Sequence, residues 1–316
     1  MSPLNLRGGW EALSPPFTGG DGGEGAIFMP KKRISIKAPA KINLGLKVNG
    51  LRDDGYHEIE TTMQMVGLFD EISFEMKDRG IELLIEGEDI SKGRENIVYK
   101  ACELLRKKAG GKGVRIKLRK NIPLSAGLGG GSSDGAATLV GLNRLWGLGL
   151  DREELMHLGC RLGSDVPFFL FGPSALARGR GDILTRVRPL NKWILLVNPS
   201  FPVATSWVYN SYDRSGEKAP NTKILTKRKD SIKLPRLNKR FGGYSNDLEK
   251  VTGSKYPVIE RIKKELINSG AEASLMSGSG PTVFGIFSEK RSAEKASEGF
   301  KGYKAFVVKT LKESPY

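Results

Sequence analysis

Cysteine and histidine are scarce in this 316-residue sequence, which has two of each. Cys102 and Cys160 lie far apart, which argues against a disulfide framework or a zinc-binding cysteine set and fits a reducing cytoplasm. His57 and His157 are too few for a histidine metal cage, and the stretch HEIET at His57 lacks the second histidine of a zincin helix. Residues 1–30 contain no apolar run of signal-peptide or membrane-spanning length. Their Gly and Pro content predicts a disordered amino-terminal extension. Met29 is a candidate start, because strand patterning begins only at RISIKAPAKINLGLKV.

Acidic residues are in the minority, 35 against 51 Lys and Arg, giving a formal charge of +16. Such an excess suits an anionic partner, whether nucleic acid, a membrane surface or a phosphorylated small molecule, and equally suits a solubilising surface. Ten Lys or Arg against three Asp or Glu fall in residues 212–243, which read either as a solvated linker or as a basic flap over an anionic ligand. No RRM, KH or helix-turn-helix signature accompanies the charge, so nucleic acid is not the expected partner.

What is present is a mixed set of strands and helices with no internal repeat. The alternation in RISIKAPAKINLGLKVNG predicts one or two strands interrupted at Pro39, and Asp54-Gly55 marks a hairpin before the next strand. Helical spacing covers Asn96 to Lys108, and Asp151 with Glu154 predicts a capping box for the helix that follows. Beyond WILLVNP the order is helix, strand, strand, helix, strand, and the fold class is α+β. At 316 residues two domains are expected, 31–185 and 186–316.

The most informative stretch is IPLSAGLGGGSSDGAAT, Ile122 to Thr138. A strand runs straight into it and a helix beginning near Ser132 runs straight out. Unpaired amides at a helix start attract anions, and glycine allows their close approach, so this order points to a polyphosphate ligand. No Gly-Lys-Ser/Thr follows, the spacing is not G-x-G-x-x-G, and no H-R-D loop occurs, which disfavours the P-loop and protein-kinase folds.

PLSAGLGGGSSDGAA resembles the central motif of the GHMP small-molecule kinases; APAKINLGLKV, Ala38 to Val48, resembles their first motif, and SLMSGSGPTVFGIF, Ser274 to Phe287, their third. RDDGYHEIET and GSDVPFFLFGPSALARGRGD narrow the resemblance to the branch acting on 4-diphosphocytidyl-2-C-methyl-D-erythritol in the non-mevalonate isoprenoid pathway. The resemblance implies a ribosomal protein S5 domain 2-like amino-terminal half, a ferredoxin-like carboxy-terminal half and a cleft between them. It implies ATP and Mg²⁺ and a small-molecule substrate rather than nucleic acid or membrane; the chain is expected to be cytoplasmic, as a monomer or homodimer.

Residue by residue, the resemblance makes Asp165 the base for the substrate hydroxyl, although Asp165 before Pro167 also reads as a helix N-cap. It makes Lys41 the cation that steadies charge on the transferring group. Pro123, Ser125, Ala126, Gly127, Leu128, Gly129, Gly130, Gly131, Ser132, Ser133 and Asn96 are expected around ATP. Ser132 or Ser133 is the expected hydroxyl toward Mg²⁺. Tyr56 would stack on cytosine and His57 would bond its edge, with Tyr209 opposite, though Trp207 or Tyr212 could take that place. Asn43 and Thr205 are expected near the erythritol, and Gly278, Ser279 and Gly280 in a turn facing the reacting groups. Asp134 receives no role.

Overall fold

The computed structural model describes residues 32–88, 90–215, 225–226 and 244–316. The expected disorder of residues 1–30 lies outside them, as does most of the basic 212–243 segment. Two sheets organise the rest. The first contains β1 (Arg33–Leu51), β2 (His57–Lys77), β3 (Ile81–Glu86), β4 (Gly113–Arg119), β5 (Ser174–Arg178) and β6 (Ile183–Arg186) in the order β3-β4-β2-β5-β6, with β1 pairing β2. The β1–β2 hairpin closes at Asp54-Gly55, where Asp54 Oδ1 accepts from Tyr56 N at 3.1 Å.

Pro39 does not end β1. The strand continues through it with a register shift between Pro39 and Ala40, and further shifts at Asn43/Gly45 and Val48/Gly50. Bulges of this kind bend a strand and re-aim its side chains. Here they bend a 19-residue strand past the glycine loop, whose Leu128 carbonyl accepts from Lys41 N at 2.9 Å.

On the first sheet lie α1 (Ile97–Lys108), α2 (Gly130–Trp146), α3 (Arg152–Cys160) and α4 (Val166–Phe171). The capping box expected at Asp151 and Glu154 forms, with both reciprocal bonds present. α2 is buried almost throughout. It packs in one core with Ile72 and Phe74 of β2, Ile116 and Leu118 of β4, and Phe168 and Phe169 of α4.

The second sheet contains β7 (Trp193–Asn198), β8 (Leu225–Thr226), β9 (Ala273–Met276), β10 (Val283–Phe287) and β11 (Lys304–Lys309) in the order β11-β7-β10-β9-β8. Its four longer strands follow the antiparallel ferredoxin-like order. α5 (Thr205–Arg214), α6 (Glu249–Lys255), α7 (Val258–Asn268) and α8 (Lys290–Ser297) contribute to the core on one of its faces. On the other, Ile194, Leu196, Phe284 and Ile286 pack with Ala40, Ile42 and Leu44 of β1 and with Ala126 and Leu128 of the glycine loop. The loop is thereby seated in a continuous apolar seam between the sheets.

Candidate active site

The three glycine- and lysine-bearing motifs converge on one cleft of about 780 Å³. β1 supplies Lys41 and Asn43, both buried. Lys41 Nζ donates to Asn43 Oδ1 at 2.6 Å and stands 3.6 Å from Asp165 Oδ2. Asn43 Nδ2 donates to Thr61 Oγ1 at 2.8 Å, and that hydroxyl donates to the Gly45 carbonyl at 2.6 Å. The amide of Asn43 is thus oriented from β2, and it in turn aims the ammonium of Lys41. Asp165 occupies the N-cap position of α4, yet its side chain makes no capping hydrogen bond. The carboxylate remains available to the cleft, a third of its side chain exposed.

The glycine loop crosses the turn between β9 and β10. A Cβ on Gly127, whose φ is +74°, would lie 2.0 Å from the Ser277 carbonyl oxygen, so backbone meets backbone here and only glycine fits. Ser277 Oγ donates to the Gly127 carbonyl at 2.9 Å and accepts from Asn43 N at 3.3 Å, joining all three motifs through one hydroxyl. The turn is held from α6 and the residues before it. Asn246 Nδ2 donates to the carbonyls of Met276 (2.9 Å) and Gly278 (2.7 Å), and Thr252 Oγ1 to that of Ser279 (3.3 Å).

At the other end of the cleft stand the aromatic groups. The rings of His57 and Tyr209 are 4.6 Å apart, and His57 Nε2 pairs with Asp213 Oδ1 at 2.8 Å. Burial, with Asp165 nearby, holds the Tyr209 phenol above its ordinary pKa. Tyr56 is 53% exposed, and the Arg180 guanidinium lies 5.4 Å from its ring centre. Thr205 opens α5 and its hydroxyl lies 3.0 Å from Ser279 Oγ.

Lys41, Asn43, Tyr56, His57, Pro123, Ser125, Ala126, Gly127, Gly129, Gly130, Gly131, Ser132, Asp165, Thr205, Tyr209, Gly278 and Ser279 all line this cleft. Four of the expected residues do not. Leu128 is buried in the seam, and Gly280 lies beyond the turn beside Met276. Ser133 is buried, its Oγ 3.4 Å from the Tyr316 hydroxyl. Asn96 caps α1, accepting from Val98 N at 2.8 Å. Of the two serines, Ser132 is the one that lines the cleft. Among the aromatic alternatives, Tyr209 lines it, whereas Trp207 and Tyr212 line a separate hollow of about 380 Å³ with Lys255. The sequence analysis missed Thr61, Ser277, Asn246 and Arg180. The first three are ordinary polar residues whose partners lie far along the chain; Thr61, Ser277 and Arg180 fall inside quoted motifs, and Asn246 alone lies outside them.

The family models for the GHMP kinases N terminal domain and the GHMP kinases C terminal match residues 96–173 and 225–304. A 4-diphosphocytidyl-2-C-methyl-D-erythritol kinase from Geobacter metallireducens is 45% identical over 276 residues, 84% of this chain and 94% of that protein. The chain belongs to this family of GHMP kinases. The kinase of the same name from Listeria welshimeri is 43% identical over 287 residues, 89% of this chain and 98% of its own. A crystal structure of 4-(cytidine 5'-diphospho)-2C-methyl-D-erythritol kinase superposes with a TM-score of 0.73 at 33% identity, over 88% of this chain and 99% of that one. Homoserine kinase from Cytophaga hutchinsonii superposes with a TM-score of 0.65 at 21% identity, over 90% of this chain and 96% of its own, and shares the GHMP fold.

Proposed function

We propose that the chain transfers the γ-phosphoryl group of ATP to the 2-hydroxyl of 4-diphosphocytidyl-2-C-methyl-D-erythritol, in the non-mevalonate route to isoprenoid precursors. The kinases it resembles bear that substrate's name over nearly their whole length. The observation that carries the reading is the pairing of Lys41 with Asp165, 3.6 Å apart, in a cleft shared by the glycine loop and the His57–Tyr209 wall.

In this reading the amides from Gly127 to Ser132 take the phosphate tail at the start of α2, where the helix dipole favours negative charge. The substrate hydroxyl oxygen attacks the γ-phosphorus, the bond from that phosphorus to the β-phosphate oxygen breaks, and ADP leaves with the electron pair. Asp165 takes the hydroxyl proton and Lys41 balances charge on the transferring group. A carboxylate free of any capping bond supports the role of Asp165 as base over that of a cap. Tyr56, His57 and Tyr209 hold the cytosine, with Asn43, Thr205, Gly278 and Ser279 around the erythritol.

GHMP kinases generally work with a divalent metal, and we assign Mg²⁺. Among the described residues no three His, Cys, Asp or Glu side chains gather to cage an ion. A hard cation accepts hydroxyl and phosphate oxygens, so Ser132 Oγ together with ATP suits it. When bound, the ion neutralises charge on the phosphates. No helix among the described residues is long and apolar enough to cross a membrane. A cytoplasmic monomer or homodimer, and a division into two domains, 31–185 and 186–316, with the boundary at the last residue of β6, belong to the same proposal.

Incubating the purified chain with ATP, Mg²⁺ and a panel of alcohols tests the assignment. ADP should form only with the cytidine substrate, and phosphorus NMR should show a new 2-phosphate. Turnover of mevalonate or homoserine in its place would assign the cleft to another GHMP reaction.

A further inference from the structure

Beneath the glycine loop lies a charged cluster whose carboxylates the transfer chemistry does not use, although its lysine, Lys120, also lines the cleft. Along β2 the inward positions read Leu68, Asp70, Ile72, Phe74, and along β4 and its next residue they read Val114, Ile116, Leu118, Lys120. Each strand therefore places one charged residue in an otherwise apolar row. The two rows are antiparallel neighbours, with Ile72 opposite Leu118 and Glu71 opposite Arg119; Asp70 and Lys120 are the next residues on each, and their side chains meet. Both are buried, and so is Asp134 in the first turn of α2.

The bonds of this cluster reach both ends of the loop. Asp70 Oδ1 accepts from the backbone of Asn121 (2.6 Å) and Ile122 (2.9 Å), the residues that lead into it. Asp70 Oδ2 accepts from Lys120 Nζ, which also donates to Asp134 Oδ2 at 2.7 Å, where the loop has become helix. A Cβ on Gly130 would come within 3.4 Å of the same ammonium. We infer that Asp70, Lys120 and Asp134 form a buckle that fastens the two ends of the glycine loop together and so fixes the phosphate-binding amides before ATP arrives. They are positioning residues for the nucleotide.

The physical case is one of strength against alternatives. A loop rich in glycine loses much conformational freedom on ordering, and a ligand that must order it binds more weakly. Salt-linked side chains at the surface would do little to prevent that. In a buried site the ammonium has no water to turn to, and releasing one partner strands a charge, so the arrangement is held firmly. The composition also makes the buckle open to experiment. One cation faces two carboxylates, so neutralising either aspartate leaves a balanced pair and no stranded charge.

This inference rests on the reading of the loop as the ATP site, and turnover by the parent enzyme tests that reading separately. For the buckle, Asp70→Asn and Asp134→Ala are compared with the parent by steady-state kinetics and thermal melting. KM for ATP should rise about 5- to 10-fold in each, with KM for the cytidine substrate within about twofold. Asp134→Asn, whose amide oxygen still accepts from Lys120, should restore most of the loss. An unchanged KM for ATP, or equal rises in both KM values, would overturn the inference. Hydrogen exchange on the unaltered, nucleotide-free protein gives a result independent of any variant's folding. The amides of Asn121 and Ile122 should exchange as slowly as those of β4, and exchange at open-loop rates would refute the buckle.

Discussion

Lys41 Nζ stands 3.6 Å from Asp165 Oδ2 and 2.6 Å from Asn43 Oδ1, so a single buried ammonium is shared between a side chain of its own strand and the N-cap residue of α4. The carboxylate has no capping bond to make and faces the cleft. Replacing Asp165 by Asn, or Lys41 by Ala, should lower kcat on the order of 100-fold or more. KM for ATP should change far less, because the loop's hydrogen bond to β1 is made by the Lys41 backbone and not by either side chain. Steady-state kinetics together with a melting curve decides the matter: near-normal kcat in either folded variant would remove that residue from the mechanism.

The aromatic wall makes a sharper distinction. Tyr209 lies against His57 inside the cleft, while Trp207, two residues away on α5, points to the neighbouring hollow beneath the ammonium of Lys255, 4.1 Å from its ring centre. Tyr209→Leu should raise KM for the cytidine substrate about 10-fold, the loss of one stacking partner, and leave KM for ATP unaltered. Trp207→Leu should leave both within about twofold. Reversed results in the same assay would move the base site to the other face of α5.

Much of this site was legible in the sequence, for a physical reason. The glycine loop, Lys41, Asp165 and Tyr56-His57 lie in short contiguous motifs whose residue types are fixed by what touches them. Asn246, Thr61 and Ser277 act through partners contributed by other elements, and nothing in a polar residue's immediate surroundings announces such a bond. Asp70 and Lys120 fall between these cases. Each breaks a period-two apolar row, so the strand pattern marks them as buried charges, but only the register of β2 against β4 makes them a pair. The expected break at Pro39 did not form because a bulge absorbs the proline while β1 keeps pairing with β2.

Gly127 offers a test of the seam between the two sheets. Alanine there would bring its methyl group to 2.0 Å from the Ser277 carbonyl oxygen and would have to hold a φ of +74°. Neither backbone can retreat, since Ser277 Oγ is bonded to Gly127 and Asn246 holds the next carbonyl of the turn. Gly127→Ala should cost about 3 kcal/mol, overpacking and backbone strain together. The melting temperature should fall by roughly 4–6 °C for a chain of this size. A melting temperature equal to the parent's would show that the loop and turn separate readily.

The last prediction concerns pH. Burial pushes the Asp134 carboxyl up to about 8 from an ordinary 3.8, with Asp70 adding to the shift and Lys120 opposing it; the Tyr316 phenol, 3.4 Å from the Ser133 carbonyl, is the other titratable group at this end of α2. A carboxyl whose folded pKa is raised holds a proton in the native state that the unfolded chain has already released. Between its unfolded and folded values, from about pH 4 to about pH 8, it therefore makes stability fall as pH rises. The slope cannot exceed about 1.4 kcal/mol per pH unit for one group. Asparagine at 134 carries no such proton, so Asp134→Asn should gain on the parent steadily as pH is raised from 5 to 8. Urea unfolding of both proteins at pH 5, 6.5 and 8 measures this difference directly. A difference that stays constant would mean that Asp134 titrates alike in the folded and unfolded states, and a parent that gains on Asp134→Asn as pH rises would mean that Lys120 outweighs burial and keeps the carboxylate charged.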